Sequence, residues 1–215
     1  MKNIINLLTN KITVPQGYHD FVDKRSFLRI PNFLDVISNL AILLPALYLL
    51  QTRKNKSLLS NLLILHISLL AITSGYYHLN PSDKTVFWDI MSIATGSIIV
   101  LLIIMNTTTE YNLLLYIFAV FSIIYWKKTG DLKLYLLIYI GVPLYIIAKY
   151  YKNNNLQIYL FIMILCNILV WLTEFNDHYI YKITNNLVSG HTLKHIFAGI
   201  GIFYVIKILQ KDNKL

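Results

Sequence analysis

The chain has 215 residues, 56% of them apolar or aromatic and only 13% charged, about half the charged share of an average soluble domain. Its formal net charge of +9 comes from 19 basic and 10 acidic residues scattered over loops and tails. No compact basic motif forms, so the charge speaks against a nucleic-acid-binding surface and for contact with anionic lipid headgroups.

Residues 1–32 form a polar N-terminal arm containing Pro15, Gly17 and the string YHDFVDKRSFLRIPN at 18–32. Its early apolar run, Ile4–Leu8, is too short for the core of a cleaved signal peptide, so the first apolar helix is expected to direct insertion. Asp20, Asp23 and Asn32, with Asp35 and Asn39 just beyond, are oxygen donors of the kind that suit Ca2+, although the spacing is not that of an EF-hand. The plainer reading is a solvated arm ahead of a capped first helix.

Seven apolar stretches follow, at 33–51, 58–79, 86–106, 111–126, 132–150, 156–173 and 191–209. A helix needs about 20 residues to cross the hydrocarbon of a bilayer. The stretch 111–126 is short and is expected to lengthen through Lys127 and Lys128, whose charged tips can snorkel to the interface. Charges collect between the stretches, while Tyr111, Trp126, Tyr150 and Tyr151 lie near their ends, as interface anchors do. Pro45 and Pro143 fall inside the first and fifth stretches and are expected to kink them. The pattern predicts an all-α, multi-pass integral membrane protein. A seven-transmembrane helix bundle occupies 33–209, and 210–215 is a C-terminal tail. The polar stretch 174–190 is expected to be a loop with a short interfacial turn or helix. The one cysteine, Cys166, sits in the sixth stretch, where it reads as an apolar filler, and it leaves no intrachain disulfide possible.

Helix parity then brings distant residues to one side of the membrane. With the N-terminus on the near side, the second stretch ends there, and the third and seventh begin there. The second ends in SGYYHLN, with Ser74 and His78 one turn apart on one face. Asp89 lies near the start of the third, and the seventh opens with SGHTLKH, placing His191 and His195 on one face. All five polar residues thus share one depth, where ionisable groups are functional candidates.

Three histidines are a familiar ligand set for catalytic Zn2+, leaving a position for water and lowering its pKa. Asp89 could then act as general base and acid. Ser74 could bond the water, the attacked carbonyl oxygen or a ligand carboxylate. Blander readings stand beside these. The histidine pair can arise by chance, Asp89 can be a helix cap or first-turn carboxylate, and Ser74 can bond back to its own helix. His66, three turns before His78, reads as a structural or pore-facing histidine, and His19 and His178 as ordinary polar residues.

The strings DVISNL at 35–40, SGYYH at 74–78, WD at 88–89 and HTLKH at 191–195 make the chain resemble the alkaline ceramidase family, part of a superfamily of seven-helix membrane hydrolases and receptors. The resemblance runs from about Tyr18 to Leu209, carried in the fourth to sixth stretches by hydrophobic character alone. It implies zinc on His78, His191 and His195, catalytic roles for Asp89 and Ser74, and hydrolysis of a lipid amide. An N-acyl sphingoid lipid from the surrounding bilayer would yield fatty acid and free amine. The home would be a cytoplasmic membrane in a bacterium or an endomembrane in a eukaryote. Relatives of the same superfamily leave two alternatives: hydrolysis of an acyl ester, and a non-catalytic metal-containing receptor. In the arm the chain departs from the family's denser acidic, tryptophan-containing calcium motif, having Phe21 and no nearby glutamate.

Overall fold

The computed structural model describes residues 10–215, which form helices joined by short loops, with a single isolated bridge between Phe27 and Ile30. In chain order the helices are α1 (Phe33–Ile37), α2 (Leu40–Thr52), α3 (Leu58–Leu79), α4 (Asp83–Met105), α5 (Thr109–Thr129), α6 (Lys133–Tyr150), α7 (Gln157–Phe175), α8 (Asp177–Ile183) and α9 (Gly190–Lys211). Taking α1 and α2 as one, seven spans are long and apolar enough to cross a membrane. The chain is a seven-helix, multi-pass membrane protein, as its hydropathy predicts. The last helix continues through Lys211, two residues beyond the predicted boundary.

Polar caps explain where the boundaries differ from the apolar runs. Ser57, Ser82 and Ser189 each sit in extended backbone and accept the amide N–H three residues on. Ser82 therefore starts α4 at Asp83, ahead of the apolar run that begins at 86. At the other end of the predicted short helix, α5 runs through Lys127 and Lys128 and stops at Gly130, whose φ of 75° breaks it. The stretch 174–190 contains the short helix α8, as expected.

The first span is interrupted at Ser38 and Asn39. The Asn39 side-chain amide donates to the carbonyls of Asp35 and Val36, competing with the helical ladder. This break turns Ser38 and Asp35 toward α9.

Leu44, Leu65, Ile72, Leu113, Leu144 and Phe161 lie on exposed outer faces, where a lipid tail costs nothing to meet. His66, His78, His191, His195 and several hydroxyls are buried inside. The last span packs on α7 and on α2. At Gly199 the approach is so close that a Cβ would stand 2.2 Å from the Ala41 carbonyl oxygen. By contrast α6 and α7 touch only lightly. Between them lies part of a cavity.

Candidate metal centre

His78 in the last turn of α3 meets His191 and His195 in the first two turns of α9. The His78 and His191 Nε2 atoms are 3.3 Å apart. The three ring pairs have centroids 4.6, 4.7 and 4.9 Å apart. One ring nitrogen from each histidine lies within 4.8 Å of the other two, so the cluster is able to hold a metal ion. All three residues are buried.

Neighbouring groups fix which nitrogens converge. Ser38 Oγ donates to the Asp35 carbonyl at 3.1 Å and lies 2.7 Å from His195 Nδ1. With its one hydrogen so used, the hydroxyl accepts from Nδ1–H, and Nε2 keeps its lone pair for the cluster. His191 Nδ1 faces Glu174 Oε1 at 3.7 Å, again leaving Nε2 inward. The His78 Nδ1 is buried without a hydrogen-bond partner. With the Nε2 atoms of His191 and His195 left free by their outer partners and His78 Nε2 3.3 Å from that of His191, the arrangement suits a shared metal ion.

The backbone around the cluster is held as firmly as the rings. Ser189 caps α9, and its Oγ together with that of Thr192 donates to Asp35 Oδ1, at 2.9 and 2.6 Å. The His191 N–H donates to Asp177 Oδ1 at 2.8 Å. Burial pushes the Asp177 carboxyl above the usual carboxylate range, against the lowering effect of its bonds from the His191 and Val22 amides. Gly190 permits this junction, because a Cβ there would lie 2.2 Å from the Thr173 carbonyl oxygen.

Phe21 of the arm closes the near side. Its ring packs on His78 and His191, with centroids 4.6 and 4.7 Å away. Tyr77 packs against Phe21 and stacks on Tyr18, whose phenol is pushed up to about 12 by burial.

Asp89 and Ser74 stand at the polar end of an apolar cavity of about 230 Å³, together with His195, Lys194 and Tyr139. Asp89 lies nearly two turns inside α4, so it is neither a cap nor a first-turn carboxylate. It stays outside the three-histidine group. Both Asp89 and Ser74 line the cavity, and Asp89 Oδ1 is buried with no hydrogen-bond partner. Leu63 and Ser74 line the cavity from one helix three turns apart, which makes it about 16 Å long.

The calcium candidates are each engaged elsewhere. Asp20 pairs with Lys24 at 2.6 Å, on the surface. Asp23 is fully buried and binds Arg25 through both oxygens, at 2.8 and 2.6 Å. Arg25 also donates to the Leu187 carbonyl and lies over the Tyr181 ring. Asn32 donates to the His78 carbonyl at 2.8 Å, and so positions a histidine. A guanidinium supplies the positive charge beside Asp23.

His66 donates from Nδ1 to the Leu62 carbonyl and meets Tyr116 Oη at 3.0 Å, which satisfies it as a structural histidine on the cavity wall. His178 is exposed. His19 bridges Tyr77 Oη and Asp83, a contact its loop position did not suggest.

Lys194, Glu174, Ser38 and Phe21 had no site role in the sequence reading. Ser38 lies inside DVISNL and Lys194 inside HTLKH, so both strings carried a signal that their spacing alone did not decode. No protein-family model matches the chain, and neither a curated protein nor a solved structure does.

Proposed function

We propose that the chain is a zinc-dependent membrane hydrolase that cleaves the amide of an N-acylated long-chain amine, a ceramide-like lipid, to fatty acid and free amine. The observation that carries this reading is the three-histidine cluster beside a buried, unpartnered carboxylate oxygen at the polar end of an apolar cavity. When bound, the metal would supply an open coordination position, polarise the carbonyl and make water a better nucleophile.

The chain's own groups do the rest. The apolar walls take the acyl chain, and the lightly packed seam between α6 and α7 offers it a route from the bilayer. With Ser74 also on the cavity wall, the unpartnered Asp89 Oδ1 is placed to accept a proton from the attacking water. Asp89 then returns that proton to the amide nitrogen, which leaves poorly without it. Phe21 covers the histidines and limits near-side water.

The preference for amide over ester rests on the likeness of Ser74, His78, Asp89, His191 and His195 to the alkaline ceramidase pattern. The test is mass spectrometry of products released from a mixed lipid extract, with His195→Ala as control. Zinc-dependent release of fatty acid from N-acyl sphingoid lipids is the expected result. Release from glycerolipid esters alone would replace the amidase with an esterase. No release from any lipid, with the metal bound, would favour a receptor.

A further inference from the structure

Lys194 is an unusual group to find on the wall of this cavity. An ammonium at membrane depth is costly unless it is paired or used. Its partner, Glu174, does not line the cavity and sits behind it, toward His191. The cation faces the space and its counter-ion stands behind. An ammonium carries three N–H donors, and Glu174 is its one ion-pair partner among the described residues.

Position gives the direction. Lys194 directly precedes His195 on α9 and lines the cavity with it, three turns along the helix from Ile206 and at the end away from Leu63. A substrate with its tail among the apolar walls and its carbonyl at the histidines would bring its headgroup to Lys194. Of the nearby carboxylates, Asp89 is on the cavity wall and would face the metal, while Glu174 is committed to Lys194. Asp35 and Asp177 bond the first turn of α9 and do not line the cavity. A divalent metal and Lys194 together outweigh Asp89 and Glu174.

We propose that Lys194 is a specificity-determining residue that selects acyl amines carrying an anionic group, a carboxylate or a phosphate, beside the scissile nitrogen. This rests on the hydrolase reading for its chemistry. Cleavage adds water across the C–N bond, its oxygen going to the acyl carbon and its hydrogen to nitrogen. The anionic group takes no part in that step, so Lys194 acts on binding.

The experiment uses the full-length, zinc-loaded chain in detergent. N-oleoylglycine, N-oleoyl-O-phosphoethanolamine and neutral N-oleoylethanolamine share one acyl chain and separate carboxylate from phosphate. The anionic pair should show about tenfold lower KM than the neutral amide, as for a charge-assisted hydrogen bond. Lys194→Gln should abolish that difference through KM, and Lys194→Arg should keep most of it. Binding is read independently of turnover by thermal stabilisation with hexadecyl phosphate against hexadecanol. The phosphate should lose about tenfold in potency in Lys194→Gln. An anion preference equally strong in Lys194→Gln would assign it to the metal and overturn the proposal, as would no preference in the wild type. Failure to cleave all three amides, together with no release from N-acyl sphingoid lipids, would overturn the hydrolase reading alone, and the binding comparison would still judge Lys194.

Discussion

Ser38 and His195 are joined across two spans, with the serine Oγ 2.7 Å from the imidazole Nδ1. The contact exists because the first span breaks at Ser38 and Asn39. It fixes both the tautomer and the tilt of one ring of the cluster.

Ser38→Ala should therefore weaken metal binding by about 10- to 100-fold, the usual cost of removing such an outer partner. Competitive titration with a zinc-sensitive dye measures it. An unchanged affinity would mean that packing alone orients His195.

Asp89→Asn should keep the metal and lose about 10²- to 10⁴-fold in kcat, as expected for removal of a general acid and base. Metal analysis and turnover of the same preparation separate the two effects. An empty site in this variant would make Asp89 a ligand or an essential support.

The Asp23–Arg25 clamp should hold the arm without calcium. Burial raises the Asp23 carboxyl, but its hydrogen bonds and charge contact with Arg25 outweigh this and hold it below the usual carboxylate range. A carboxyl lowered on folding stabilises fully above its unfolded value. That contribution fades as pH falls from about 4 through the lower folded value. Melting temperature should thus drop across this acid window in the wild type more than in Asp23→Asn. Arg25→Ala should cost about 2–3 kcal/mol at neutral pH by stranding a buried carboxylate. A chelator selective for calcium should leave the melting temperature unmoved, and a clear drop would restore the calcium expectation.

Gly190→Ala should displace the start of α9, since its Cβ would collide with the Thr173 carbonyl. Overpacking of this kind costs about 1–3 kcal/mol. Because His191 is the next residue, metal affinity should fall with stability. Gly141→Ala, where a Cβ meets nothing within 4 Å of it inside α6, is the control that should leave metal affinity unchanged and lose no stability.

Much of this architecture was legible in the sequence because membrane spans announce themselves by composition. Parity, with no geometry beyond helix counting, put His78, His191 and His195 at one depth, and the structure brings them together. Helix starts were less legible. Ser82 and Asp83 begin α4 while looking like loop. Charge pairing was less legible still. Glu174 lay one residue past an apolar stretch, and nothing in its sequence neighbourhood linked it to Lys194. Asp23 and Asn32 looked like metal ligands because oxygen-rich arms do. Their actual partners, Arg25 and the His78 carbonyl, depend on how the arm folds back over the bundle.

The two histidines that meet through Nε2, His78 and His191, are 113 positions apart in the chain. A metal ion shared between them would act as a cross-link, closing a loop that contains all of α4 to α8. Such a closure restricts the unfolded chain far more than the folded one. Binding to the folded state also adds stability in proportion to the logarithm of ion concentration. Resistance to thermal unfolding would then rise with metal supply, and the bundle would be fastened only after α9 had joined α3.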